Sequence, residues 1–277
     1  MGIGVICLNN PASSMMIRYF LPLAFAGLSQ ALSAATLFQE SFNVDHVGGD
    51  PIPSSNSSIG LVNWNGYYGT PDSIADDSPS SGSSYRIGVL TGSSAPSGQG
   101  DGYLFFQHSA SATVGTDHFA YTSTSLNSGF PAIIPSAHTA VSMNWVQSLG
   151  SFASGGYYVA LEINGTWHVS TTNQRALTGS TRSFDLYSAT WRTLDLVTGT
   201  GGHLALDSDS STSAELFLGG NPITGIGFYV ENLPVPGSTG TSTLRIDSLE
   251  IESVPEPTAS ALALAGAAIL LRRSRNE

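Results

Sequence analysis

The chain has no lysine and a single cysteine, and only 10% of its 277 residues are charged. The missing lysine excludes a phosphate-binding P-loop, whose grip on a nucleotide needs one. Nine arginines stand against 20 carboxylates, for a formal charge of −11. With no basic stripe to offset that field, nucleic acid is excluded as a partner. The lone Cys7 supplies neither a disulfide framework nor a cysteine cluster for zinc. There is no Gly-x-Ser-x-Gly elbow and no His-Glu-x-x-His pair, so the common serine hydrolases and zinc hydrolases are disfavoured. No amphipathic helical stripe runs through the body of the chain. What fills the composition is 42 Ser, 23 Thr and 31 Gly. Even so, 41% of the residues are hydrophobic and the aromatics are spread along the length, so the body is expected to fold.

The two ends read as targeting segments. Met15-Met16-Ile17-Arg18 gives a short basic start, Tyr19 to Leu28 an apolar run, and Ser33-Ala34-Ala35 a small-residue cleavage site. Residues 1–35 are therefore expected to be a signal peptide with a signal helix, with Met15 or Met16 as an alternative start. A buried N-terminal helix is the competing reading. Cys7 would leave with the signal. At the other end come Val254-Pro255-Glu256-Pro257, an uncharged stretch from Thr258 to Leu271, and Arg272-Arg273-Ser274-Arg275. Those 14 uncharged residues fall short of the roughly 20 of a spanning helix. The expectation is a short C-terminal membrane helix, with Arg272, Arg273 and Arg275 held on the cytoplasmic side.

In this order the C-terminal parts resemble the PEP-CTERM sorting signal of Gram-negative bacteria, over residues 254–277. The resemblance implies signal peptidase and an exosortase-type membrane protease as partners. It also implies transient anchoring in the inner membrane and delivery to the cell envelope or an extracellular polysaccharide matrix. Processing would fall at Val254, Pro255, Glu256 and Pro257. The uncharged stretch is shorter than that pattern needs for stable spanning.

Residues 36–253 remain as the body, with five arginines against 18 carboxylates and a formal charge of −13. Short β-rich runs alternate here with Gly, Ser, Asn and Pro. Val141, Met143 and Trp145 share one phase; so do Tyr157, Val159, Leu161 and Ile163, with Tyr158, Ala160 and Glu162 on a wet face. Trp191 to Val197 and Ile223 to Glu231 read as strands too. Asn164-Gly165 between two apolar runs predicts a hairpin. The phase slips between Leu244/Ile246 and Leu249/Ile251, which predicts a bulge at Asp247-Ser248. The fold class is all-β: a two-sheet antiparallel β-sandwich of jelly-roll type, with strands at both ends of the body. Ser73 to Ser84 and Gly92 to Gly102 read as loops. The body is also similar, at Gln39-Glu40-Ser41-Phe42, Gly165 to Ser170 and Leu244 to Leu249, to the concanavalin-A-like (laminin-G-like) jelly-roll modules of exported bacterial proteins.

Three kinds of chemistry bear on the body. A glycosidase needs two carboxylates about 5 to 9 Å apart. Jelly-roll glucanases carry them as Glu-x-Asp-x-x-Glu, which this chain lacks; Glu162 and Glu231 read as solvated. For sugar binding, Trp64, Tyr67 and Tyr68 combine aromatic faces with asparagines in a turn-rich segment; their competing reading is core and loop anchors. Trp145, Trp167 and Trp191 read as core. For metal, Glu40 and Asp247 on the first and last strands suit a structural calcium, which takes oxygen ligands. Asp207-Ser208-Asp209 reads as a loop with a weaker claim to calcium, and six scattered histidines lack metal-ligand spacing. The expectation is a non-catalytic, exported structural or glycan-binding sandwich with polysaccharide as partner. The alternative is a polysaccharide hydrolase or lyase on the same fold.

Overall fold

The computed structural model describes residues 34–42, 63–70, 73–75, 85–91, 96, 102–109, 117–149, 155–176, 180–197, 201–231 and 241–255. Strands are numbered in chain order. One antiparallel sheet has six strands: β10 (Thr181–Asp185), β7 (His138–Leu149), β14 (Thr241–Pro255), β5 (Gly102–Ser109) and β4 (Tyr85–Thr91) in that order, with β1 (Ala35–Glu40) also paired to β14. The other has eight: β12 (His203–Thr212), β11 (Thr190–Val197), β9 (Thr166–Ser170), β8 (Gly156–Ile163), β13 (Ile223–Glu231), β6 (Asp117–Ser123), β2 (Asn65–Thr70) and β3 (Ser73–Ala75). Thr36–Ser253 forms one compact unit. The body is thus a two-sheet β-sandwich whose first and last strands pair within the six-stranded sheet.

Period-two burial decides which side chains meet between the sheets. On β7, Val141, Met143 and Trp145 are buried while Ser142 and Asn144 are half-buried. Trp145 meets Phe228 of β13 edge to face at 5.4 Å, and Phe184 meets Trp191 at 5.8 Å, so aromatic pairs cross the sandwich. Trp191 also donates its indole N–H to Ser213 Oγ at 2.8 Å. Ser213 opens a one-turn helix, α1 (Ser213–Leu216). Its capping box is closed: Glu215 Oε2 accepts from Thr212 N, and Thr212 Oγ1 accepts from Glu215 N.

The turn at Asn164-Gly165 has both φ positive, at 53° and 74°, which matches the twist of the β8–β9 hairpin. On β14, Leu244, Ile246, Leu249 and Ile251 are all fully buried, and Ser248 sits at φ 52° between the two phases. The slip read from sequence is there.

Three expectations are corrected. β8 has no wet face: Tyr158 and Ala160 are buried as well as Tyr157, Val159 and Leu161. The reason is position, since β8 lies inside the eight-stranded sheet and that sheet is apolar on both sides. Asn65–Thr70 is strand β2 rather than a turn, and Ser73–Ala75 pairs with it. Asp207 and Asp209 lie on β12 rather than in a loop.

The signal helix, the C-terminal membrane helix, Cys7, Glu256, Pro257, Arg272, Arg273 and Arg275 lie outside the described residues. Among the described residues no helix is long and apolar enough to cross a membrane.

Candidate functional site

The eight-stranded sheet curls until β12 approaches β2 and β3, forming a half-barrel. Its face away from the six-stranded sheet carries a second apolar cluster, built on Phe119, Tyr158, Trp167, Val169, Leu194 and Tyr229. Strand register sets out that face in rows. Tyr158, Tyr229, Phe119 and Tyr67 lie abreast on β8, β13, β6 and β2. The next row is Ala160, Gly227, Tyr121 and Asn65, and the next Glu162, Gly225 and Ser123.

The two glycines of β13 make room for rings. A Cβ on Gly225 would stand 2.8 Å from Trp167 Cη2 and 3.0 Å from Glu162 Oε2. A Cβ on Gly227 would collide with the Ala120 carbonyl and come within 3.2 Å of the Phe119 ring. Trp167 can therefore lie across β13, 4.8 Å from Tyr121 and 4.9 Å from Phe119. Tyr67 stacks on Tyr121 at 6.3 Å. Because the Ala120 carbonyl is backbone and cannot yield, Gly227→Ala is expected to cost about 1–3 kcal/mol, the range for overpacking. A denaturant midpoint equal to that of the parent protein would contradict this.

The two ends of the face differ. At the β8–β9 hairpin end, an open cleft of 660 Å³ is lined by Trp167, Leu194, Leu196 and Leu206, with Asp195 and Asp207 among its polar groups. The Asp195 carboxylate bonds His203 at 2.7 Å and holds that imidazole above its ordinary value. At the other end, the Tyr158 hydroxyl donates to Glu231 at 3.0 Å and the Tyr229 hydroxyl donates to Asp117. The Arg192 guanidinium lies over the Tyr158 ring, 5.9 Å from its centroid.

Burial pushes the Tyr158 hydroxyl up to about 12, with Glu231 adding to the rise and Arg192 opposing it. Tyr229 is raised further, by burial and then Asp117, and Tyr121 is raised by burial and then Tyr67. The native state therefore holds these phenols neutral. Their contribution is complete below the unfolded value of about 10 and is lost as pH climbs toward 12. Alkaline titration should thus release phenolate absorbance late and together with unfolding. Reversible titration of every tyrosine near 10 in the folded protein would refute it.

No protein-family model matches the chain, and no curated protein does. Solved structures are similar in part. An exo-β-agarase is 14% identical with a TM-score of 0.35, over 64% of this chain and 23% of that chain. A carbohydrate-binding module specific for non-crystalline cellulose, CBM28, is 10% identical with a TM-score of 0.30, over 75% of this chain and 97% of its own. The CBM2 module of the Lactobacillus casei BL23 phage J-1 evolved Dit is 10% identical with a TM-score of 0.31, over 82% of this chain and 99% of its own.

The residues singled out from sequence fall in different places. Trp64 is 4% exposed and belongs to the inter-sheet core, where Phe42 lies 5.3 Å away and Glu40 accepts its indole N–H. Its face is closed to a ligand, and Tyr68 packs against the same core. Tyr67 is on the opposite face, in the aromatic cluster. Glu40 Oε1 also accepts from Phe42 N at 2.9 Å. Asp247 is fully buried and accepts from Ser248 N at 2.6 Å. No group of three or more potential metal-binding side chains occurs among the described residues. Val254 and Pro255 end β14. Trp145, Trp167 and Trp191 are all buried, as read, the first and last between the sheets and Trp167 in the second apolar cluster, on the half-barrel face. Asp117, Tyr121, Tyr158 and Tyr229 were not singled out. Alternation over Asp117-His118-Phe119-Ala120-Tyr121 was the available signal, but it cannot tell which face is covered by the second sheet.

Proposed function

We propose that the body is a non-catalytic, glycan-binding β-sandwich of jelly-roll type, carried by an exported protein. The observation that supports this is the cleft at the hairpin end of the half-barrel. It sets the edge of an indole beside an apolar floor of Leu194, Leu196 and Leu206, a surface that suits the C–H face of a sugar ring. The ligand is a neutral polysaccharide, because a body of formal charge −13 repels an acidic one. Export and exosortase sorting to the cell surface or matrix rest on residues 1–35 and on Val254, Pro255, Glu256 and Pro257 with the arginine tail.

A hydrolase or lyase is the second reading. It is favoured by three carboxylates, Glu162, Asp117 and Glu231, on the aromatic face. Each of them accepts a hydroxyl hydrogen bond from Thr224, Tyr229 or Tyr158, an arrangement that suits a held surface more than a proton donor.

A glycan array on the purified protein, with calcium and again with EDTA, tests both. Binding to neutral polysaccharide supports the proposal, and equal binding in EDTA removes calcium at Glu40 and Asp247 from the account. No binding in either condition rejects it in favour of a purely structural role. A ligand consumed during the assay establishes the enzyme.

A further inference from the structure

The chain holds two Asn-Gly pairs, Asn65-Gly66 and Asn164-Gly165, and the fold treats them oppositely. In such a pair the glycine nitrogen lies within ring-closing reach of the asparagine side-chain carbonyl carbon, and glycine has no Cβ to screen it. Proximity favours that attack, so in a folded chain the outcome turns on whether both groups are free to meet. Asn65 is restrained at every point. It is half-buried on β2, and its Nδ2 donates to the Tyr67 hydroxyl at 3.2 Å and to the Tyr121 hydroxyl at 3.4 Å. Its Oδ1 accepts from Gly66 N at 2.8 Å, and Gly66 is itself buried opposite Ala120 of β6. Asn164 has none of these restraints. It stands at the tip of the β8–β9 hairpin, exposed together with Gly165 and Thr166. Among the described residues neither its amide nor the Gly165 N–H enters a hydrogen bond. Beyond the chain neighbours, no heavy atom lies within 4 Å of the place a Cβ on Gly165 would take, so that side of the turn is open.

We propose that Asn164 is a site of spontaneous deamidation. The Gly165 nitrogen loses its proton to solvent base and bonds to Asn164 Cγ. The Cγ–Nδ2 bond then breaks, and ammonia leaves with a proton taken from water. A second water opens the cyclic imide at either of its carbonyls. One opening leaves an aspartyl residue at position 164. The other leaves an isoaspartyl residue, whose main chain runs through the side-chain methylene. In sum an amide and water become a carboxylic acid and ammonia, with no oxidant, reductant or enzyme. Either product places a negative charge at the hairpin tip. The isoaspartyl product also lengthens the backbone of a turn whose two residues both hold positive φ, and a turn this tight has no slack for an extra atom. Gly165, Thr166 and Trp167 line the hairpin-end cleft, so the change reaches the cleft wall. The inference stands whatever the cleft binds.

The test is timed incubation of the full chain in mildly alkaline buffer, folded and in urea, followed by digestion and mass spectrometry. Isoaspartyl content is counted with a protein-isoaspartate methyltransferase. In the folded chain the peptide carrying Asn164 should exchange its amide for a carboxyl about tenfold faster than the peptide carrying Asn65, or more. In urea the fold no longer separates the two pairs, and their rates should converge. Asn164→Gln, a change at an exposed position, should remove the fast component and leave the slow one. A folded chain whose Asn164 stays intact while the urea sample reacts overturns the proposal. Equal conversion at the two positions in the folded chain overturns it as well, because the selectivity would then owe nothing to the hairpin.

Discussion

Trp167→Ala is expected to weaken polysaccharide binding by about 30-fold, the roughly 2 kcal/mol of a hot-spot aromatic. Among the described residues that line the hairpin-end cleft the indole is the one large ring, and it is 7% exposed, so its edge meets solvent while its body rests on Phe119 and Tyr121. Because of that packing the substitution also loosens the cluster, and two controls separate the effects. Trp167→Phe should recover part of the affinity. Leu206→Ala, at the rim of the same cleft but off the aromatic stack, should cost less in both stability and binding. Parent-like affinity in Trp167→Ala would move the ligand elsewhere on the molecule.

The largest loss of stability is expected at Trp191. Trp191→Ala removes a 1% exposed side chain from between the sheets, together with its edge-to-face partner Phe184 and its bond to Ser213 Oγ. Large-to-small changes of this kind cost about 3–5 kcal/mol. Against a total of about 5–15 kcal/mol, that takes a large part of the stability. Ser213 keeps its own donation to the Leu186 carbonyl at 2.6 Å, so the loss is chiefly one of packing. Chemical denaturation reads it directly. A cost below 1 kcal/mol would mean that this end of the sandwich collapses to fill the space.

Sheets and strands were legible because period-two patterns are local. Val141, Met143 and Trp145 announce an inward face by themselves, and Asn164-Gly165 announces its turn through two positive φ values. The site was less legible. Trp64 and Trp167 look alike in sequence, each an indole two residues from a glycine, yet one is enclosed between the sheets and the other faces the half-barrel. What separates them is strand order, which places β8 and β13 in the interior of an eight-stranded sheet and coats both its faces with apolar residues. The Tyr158–Glu231 and Tyr229–Asp117 pairs join residues 73 and 112 positions apart, beyond the reach of any local pattern. The loose glycines of β13 became meaningful only once the rings above them were seen.

The curl of the larger sheet has a colloidal consequence. A flat sheet of eight strands would offer two rows of unpaired backbone groups, each a template for another copy of the chain. Here the ends of that sheet turn toward each other, β12 against β2 and β3, and shield their own templates. The ends of the smaller sheet are β4 and β10, seven and five residues long, and short edges are poor seeds for growth. Short and inturned edges leave copies of this serine-, threonine- and glycine-rich chain few templates on which to grow into fibres.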